Sequence, residues 1–265
     1  MHTPGLVGTV AILMARRLQK PTTLFLHNDY RKLITFAVPW APRLADIGAL
    51  VERWAAKAAS RVITAGEPEG RLNAHRLIVR APYYPYPATA PGCEDVVTVS
   101  YHGRVSREKA LDVTIRALAE VDKRQQRYEL MLVGGGSLLS EVLVLAESLE
   151  VRVRNIKWCE EPRAHLSASH IYVTASREET FSISTLEALG CGLPVIARAV
   201  GCIPSYIEHG RNGLLFEKDE ELPGLIALLA ADPSLRARIA AGALSSTVRT
   251  SIWDQFADAS VLVHD

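Results

Sequence analysis

Between residues 96 and 217 the hydrophobic period of the sequence switches repeatedly from strand-like to helix-like. VVTVSY (96–101), YELMLV (128–133), residues 153–158, IYVT (171–174) and PVIA (194–197) read as strands, with residues 213–216 as one more. Helical spacing occupies 108–121 and 138–149, a short stretch from Pro162, and 184–189; two further helical stretches, 220–230 and 234–244, follow. Strands that alternate with helices build βαβ units, whose parallel sheet must be covered on both faces. The pattern therefore predicts an α/β fold.

Upstream the alternation is thinner. TTLFLH (22–27), RVITA (61–65) and LIVR (77–80) read as strands, and residues 45–60 as a helix with Ile47, Leu50, Val51 and Trp54 on one face. Residues 81–92 (APYYPYPATAPG) hold four of the chain's 14 prolines. Each removes a backbone donor and disfavours helix in the residue before it. These features predict a partial α/β domain over 1–80, a Pro-rich linker over 81–95, a complete one over 96–250, and a tail or helix over 251–265. Three strands make a small core. Strands upstream are expected to be missing, and the bare sheet edge to be covered by a helix, a second protomer or a partner chain.

Charge excludes some partners. Lys plus Arg is 30 against 29 for Asp plus Glu, a formal charge of +1. A nucleic-acid binder normally carries a marked basic excess, so none is expected. The longest apolar run, residues 5–15, is shorter than the about 20 residues a bilayer requires. Its cations, Arg16, Arg17 and Lys20, follow it, whereas a secretory signal places them before. The four cysteines show no C-x-x-C spacing and no H-E-x-x-H occurs, so neither a metal site nor a disulfide framework is expected. The cytoplasm is the expected compartment. Arg16, Arg17, Lys20, Arg31 and Lys32 cluster near apolar helical residues. That cluster fits a solvated helix face or a peripheral membrane contact.

In a parallel sheet, ligands sit beyond the carboxyl ends of the strands. After residues 96–101 comes HGRVSREK (102–109): a glycine, then cations at the start of the next helix, suited to phosphate or simply solvated. After residues 128–133 comes Gly134-Gly135-Gly136, a close-approach turn for a ligand or a flexible one. The G-x-G-x-x-G of dinucleotide folds is absent, because its sixth position is Leu139. After residues 171–174, Glu179 lies at the strand end and Glu187 in the following helix. Ser182, Ser184 and Thr185 between them are candidate caps of that helix. Two carboxylates beside an anion site suit sugar hydroxyls; either alone fits a surface or loop charge better.

The stretch SREETFSISTLEALGCGLPVIA (176–197) resembles the signature of retaining glycosyltransferases of the GT-B fold, the group 1 family of glycogen, sucrose-phosphate and mannosyl-lipid synthases. GRVSREKALDVTIRAL, ELMLVGGGSLLSEV and VGCIPSYIEHGRNGLLF match further motifs in the family's order, over about residues 96–217. The resemblance implies a complete C-terminal Rossmann-like domain with a parallel sheet and a partial N-terminal one. It implies no metal or other cofactor, only a nucleotide-diphosphate sugar as donor; no D-x-D motif is present. Arg104 and Lys109, beside Gly103, match the pair that grips the donor diphosphate. Glu179 matches the acid at the donor-sugar hydroxyls and Glu187 the one at the ribose. The backbone of Phe181, Ser182, Ile183 and Ser184 would bind the distal phosphate, and Gly134, Gly135 and Gly136 would border the nucleoside. His27 matches a strand-end histidine at the donor sugar.

The implied reaction moves a hexose to an acceptor hydroxyl of a glycan, lipid or small molecule with retained configuration. The leaving phosphate takes the proton and no enzyme nucleophile is needed. Two other readings are a nucleotide-sugar binder without transfer and an epimerase of the same fold; the Glu179/Glu187 pattern favours transfer over epimerisation. Some positions depart from the family. Ser182 stands for a glycine, Ser205 for a glutamate and His170 for an aspartate, and residues 81–84 replace the usual Asn-Gly.

Overall fold

A computed structural model describes residues 6–26, 34–35, 40, 42–64, 74–76, 81–82, 96–122, 127–157, 159–249 and 254–255. The chain divides into two units: Met1–Val79 with Glu179–Phe181 and Trp253–Asp265, and Arg80–Glu178 with Ser182–Ile252.

The first unit holds helix α1 (Leu6–Arg17), strand β1 (Thr23–Leu26), helix α2 (Pro42–Ala58), and strands β2 (Arg61–Thr64) and β3 (Ala74–Arg76). The three strands form one parallel sheet in the order β1-β2-β3. The expected strand at 77–80 lies outside the described residues. Ile12, Leu24, Ala55, Ala56 and Val62 make a small buried cluster. Here α2 departs from its sequence pattern. It buries the small residues Ala45, Gly48, Ala55 and Ala56, while Leu50 is 63% exposed and Ile47 and Trp54 are exposed beside it. Small side chains let a helix backbone approach its neighbours closely, and the large apolar face is left uncovered.

The second unit carries β4 (Val97–His102), α3 (Leu111–Asp122), β5 (Tyr128–Val133), α4 (Leu139–Ser148), β6 (Arg152–Ile156), α5 (Pro162–Ser167), β7 (Ile171–Thr174), α6 (Ile183–Gly190), β8 (Val195–Arg198), α7 (Ile203–Tyr206), β9 (Leu214–Phe216), α8 (Leu222–Ala231) and α9 (Pro233–Ser245). Its strands pair in parallel in the order β6-β5-β4-β7-β8-β9. This is the doubly wound order of a Rossmann-like sheet, with the reversal between β4 and β7. Val99, Leu118, Leu130, Leu132, Val173 and Ile196 are fully buried in one continuous core, as runs covered on both faces must be.

Two details differ from the sequence pattern. The expected helix over 108–121 is broken, because Arg107–Lys109 form a 3-10 turn and Ala110 adopts a left-handed conformation before α3 begins. The short helix α7 carries no clear periodic signal, since a four-residue element is too short to show one. His170, the departure from aspartate, extends the pairing of β4. Its backbone N–H donates to the Thr98 carbonyl and its Nδ1 accepts the Thr98 N–H, at 2.9 and 3.0 Å. An Nδ1 that accepts requires a neutral ring with its proton on Nε2. Burial, and secondarily Arg236, pushes the His170 pKa down in agreement with that tautomer.

Candidate functional site

The carboxyl ends of β4, β5 and β7 carry three turns along one sheet edge. The turns after β4 and β5 interlock through their backbones. Val105 N–H donates to the Gly135 carbonyl at 2.9 Å and Leu138 N–H to the Val105 carbonyl at 3.2 Å, while Gly134 N–H donates to the Ile156 carbonyl at the end of β6 at 2.8 Å. A side chain on Gly134 would overlap the Gly103 carbonyl oxygen, and one on Gly136 the Val105 carbonyl. These two glycines are thus required by the packing of turn on turn, and the run is a tight clasp. Gly135 has only ordinary contacts at its open side, the nearest at 3.9 Å.

The turn after β4 holds the expected cations. Arg104 is 70% exposed and pairs with Glu108 at 2.8 Å. Burial tends to raise the Glu108 pKa, but the Ser106 hydroxyl at 2.6 Å, a backbone donor and Arg104 outweigh it and hold it below the usual carboxylate range. Lys109 ends the same 3-10 turn and is half-buried. The turn after β7 is tied to this one, for Arg177 N–H donates to the Glu108 carbonyl at 2.8 Å.

Helix α6 starts from Ser182, which sits in the left-handed region at φ 46°. Glycine tolerates that region without cost and serine less readily. The backbone shape therefore explains the glycine of the family pattern. The Ser182 hydroxyl pairs with Thr185 Oγ1 at 2.7 Å, and the Ser184 hydroxyl with the Tyr172 hydroxyl at 3.0 Å. Neither serves the expected capping role, and the Ser182 side chain makes no cap hydrogen bond to the helix. Thr185 and Leu186 N–H both turn to the Ser182 carbonyl. The N–H groups of Ile183 and Ser184, immediately before them, are the ones a helix start offers to an anion.

Glu187, one turn along α6, brings its carboxylate to the end of β4, with Oε2 at 3.3 Å from His102 Nδ1. His102, the last residue of β4, was not among the residues that the motifs single out. Its signal in the sequence is a polar ring directly after an apolar strand. A second unforeseen group is Arg198, which ends β8. It donates to the carbonyls of Ala175 at 3.1 Å and Glu217 at 2.7 Å, pairs with Asp219, and lies over the Phe216 ring at 4.8 Å. All its polar reach is spent on fastening the turn after β7 to the end of β9.

The second unit therefore gathers Gly103, Arg104, Lys109, Gly134, Gly135, Gly136, Ser182, Ile183, Ser184 and Glu187 on its carboxyl edge. Glu179 and Phe181 group with the first unit. His27 lies outside the described residues. Among the described residues no three His, Cys, Asp or Glu side chains gather as a metal site would need, and no helix is long and apolar enough to cross a membrane.

The chain is similar to known proteins. D-inositol 3-phosphate glycosyltransferase of Stackebrandtia nassauensis is 32% identical over an alignment of 180 residues that covers 62% of this chain and 40% of that protein. The enzyme of the same name from Thermobifida fusca is 30% identical over an alignment of 185 residues that covers 62% of this chain and 41% of that one. The chain thus spans about two fifths of the length of these relatives. Among solved structures, sucrose-phosphate synthase of Thermosynechococcus elongatus superposes with a TM-score of 0.82 at 22% identity, covering 99% of this chain and 73% of that one. Anabaena HepE in complex with UDP does so with a TM-score of 0.78 at 19% identity, covering 99% and 78%. Both share the fold. The family described as glycosyl transferases group 1 matches residues 96–232, just over half of the chain. Four ordered motifs, the doubly wound sheet and this match lead to one assignment: the chain belongs to the glycosyl transferases group 1 family.

Proposed function

We propose that the chain is a glycosyltransferase that moves a hexose from a nucleotide-diphosphate sugar to an acceptor hydroxyl with retained configuration and without a metal. The observation that carries this reading is the placement of Glu187. Its carboxylate stands at the reversal of the sheet, one turn from a helix start that the side chain of its N-cap residue, Ser182, leaves uncapped. A carboxylate accepts two hydroxyls of a ribose, and a helix start attracts the phosphates attached to it. Anabaena HepE, which shares the fold, was crystallised in complex with UDP, and such a donor is in keeping with that.

In this reading Arg104 exchanges its ion pair with Glu108 for the diphosphate, and Lys109 joins it. The Gly134–Gly136 turn borders the nucleoside, with Gly135 at the open position. The backbone of residues 181–184 holds the distal phosphate, and by the resemblance Glu179 serves the sugar hydroxyls and His27 the donor sugar. The acceptor oxygen attacks the anomeric carbon on the face that the phosphate leaves, and a phosphate oxygen takes its proton. Catalysis then rests on stabilising the departing charge and on positioning. The acceptor is a hydroxyl of a glycan, a lipid or a small molecule. The protein works in the cytoplasm, and the basic end of α1 with its apolar neighbours suits the membrane surface if the acceptor is a lipid.

Thermal unfolding with UDP, GDP and ADP tests the site, because a ligand bound only by the folded chain raises its stability. One nucleotide should raise the Tm, and Glu187→Gln should abolish the rise. Hydrolysis of the matching sugar nucleotide then separates a transferase from a chain that binds without turnover. No shift with any of the three rejects the reading.

A further inference from the structure

We infer that His102 is a positioning residue for Glu187 and, through it, a determinant of ribose over deoxyribose in the bound nucleotide. The inference rests on the reading of Glu187 given above. His102 Nδ1 is sealed from solvent and makes no hydrogen bond of acceptable geometry, although the side chain as a whole is 22% exposed. Among the described residues, the ionised group within reach of that nitrogen is Glu187, whose Oε2 stands 3.3 Å away but misaligned. Buried polar atoms in folded proteins almost always have a partner, so an atom left over beside a carboxylate indicates a bond completed in another state.

The scaffold around the pair is already fixed. The Tyr172 hydroxyl, from β7, bonds Ser184 at 3.0 Å in the first turn of α6 and reaches toward the His102 carbonyl at 3.5 Å. Strand end and helix are thus held in register, and alignment requires only that the Glu187 carboxylate plane turn. A carboxylate has about four lone-pair sites. With one oxygen held by Nδ1–H, the remaining sites are oriented for two neighbouring hydroxyls. Without that donor the plane turns freely, and an ordered diol loses its advantage over a single hydroxyl. The effect of His102 must therefore appear with a ribonucleotide and be small with its 2′-deoxy form.

The experiment titrates the full chain with whichever of UDP, GDP or ADP raises the Tm most, and with its 2′-deoxy counterpart. His102→Ala should lose roughly fivefold to tenfold in affinity for the ribonucleotide and little for the deoxy form. His102→Asn, whose amide nitrogen can stand where Nδ1 does, should retain the preference. His102→Gln, whose amide falls at the other ring nitrogen, should behave as alanine does. Should His102→Ala fail to fold, the asparagine and glutamine variants carry the same comparison. If the His102 variants all retain the preference while Glu187→Gln loses it, the role of His102 is overturned and that of Glu187 stands. If Glu187→Gln retains it, the ribose role of Glu187 is overturned, and the role of His102 with it.

Discussion

The two units bury apolar side chains to very different extents. In the second, Leu118 on α3 and Leu130 and Leu132 on β5 are sealed between helices and a six-stranded sheet. In the first, α2 turns alanines and a glycine inward and leaves Leu50 63% exposed. An apolar stripe on a helix therefore shows that some surface could be covered, and not that it is. Burial depends on whether a neighbouring layer exists to receive the stripe. The second unit has such a layer on each face of its sheet.

The largest test of this contrast is a matched pair of leucines. Leu118→Ala should cost about 2–5 kcal/mol, the range for emptying a closed core position, read as a lowered urea midpoint. Leu50→Ala should change stability by about 0.5 kcal/mol or less, because the side chain already faces water. Equal losses would show that α2 is covered in solution. Next in size is Gly134→Ala. Its methyl group would be driven into the Gly103 carbonyl, and Gly134 has φ 131°. A loss of about 3 kcal/mol is expected, together with loss of nucleotide binding. Retained binding with lost stability would separate the clasp from the site.

The smallest effect is a dependence on acid confined to the second unit. His170 accepts from Thr98 only when neutral, and its pKa in the folded chain lies below the ordinary value. The unfolded chain thus takes up this proton at a higher pH than the folded one. The contribution is complete above about pH 6.5, the unfolded value, and is lost as pH falls from there toward the depressed folded value. Urea midpoints between pH 7 and pH 5 should fall in the wild type. His170→Asn, whose Oδ1 can accept from the same N–H, should flatten that fall. An unchanged slope would show that another group carries it.

Much of the second unit was legible because strand and helix periods are local properties. Short runs such as YELMLV and IYVT can be buried on both faces only in a covered parallel sheet, and the stretch around Glu187 matches the family pattern at its spacing. The break at Ala110 was not legible, since a left-handed alanine leaves no local mark. Nor was the duty of Gly134 and Gly136. In sequence they read as room for a ligand or as flexibility, and in space they admit a neighbouring backbone. Ser184 and Thr185 read as caps, yet both hydroxyls find partners that lie elsewhere in the fold or along the helix.

Period and motif along the chain were enough to set the alternating α/β plan and the family, because both are written in local order. Tertiary structure alone decided that His102 stands against Glu187, that two glycine turns clasp one another, and that α2 shows its large apolar side to solvent. Each depends on which backbone lies across from which. That is fixed by strand order and packing distance rather than by neighbours in the chain.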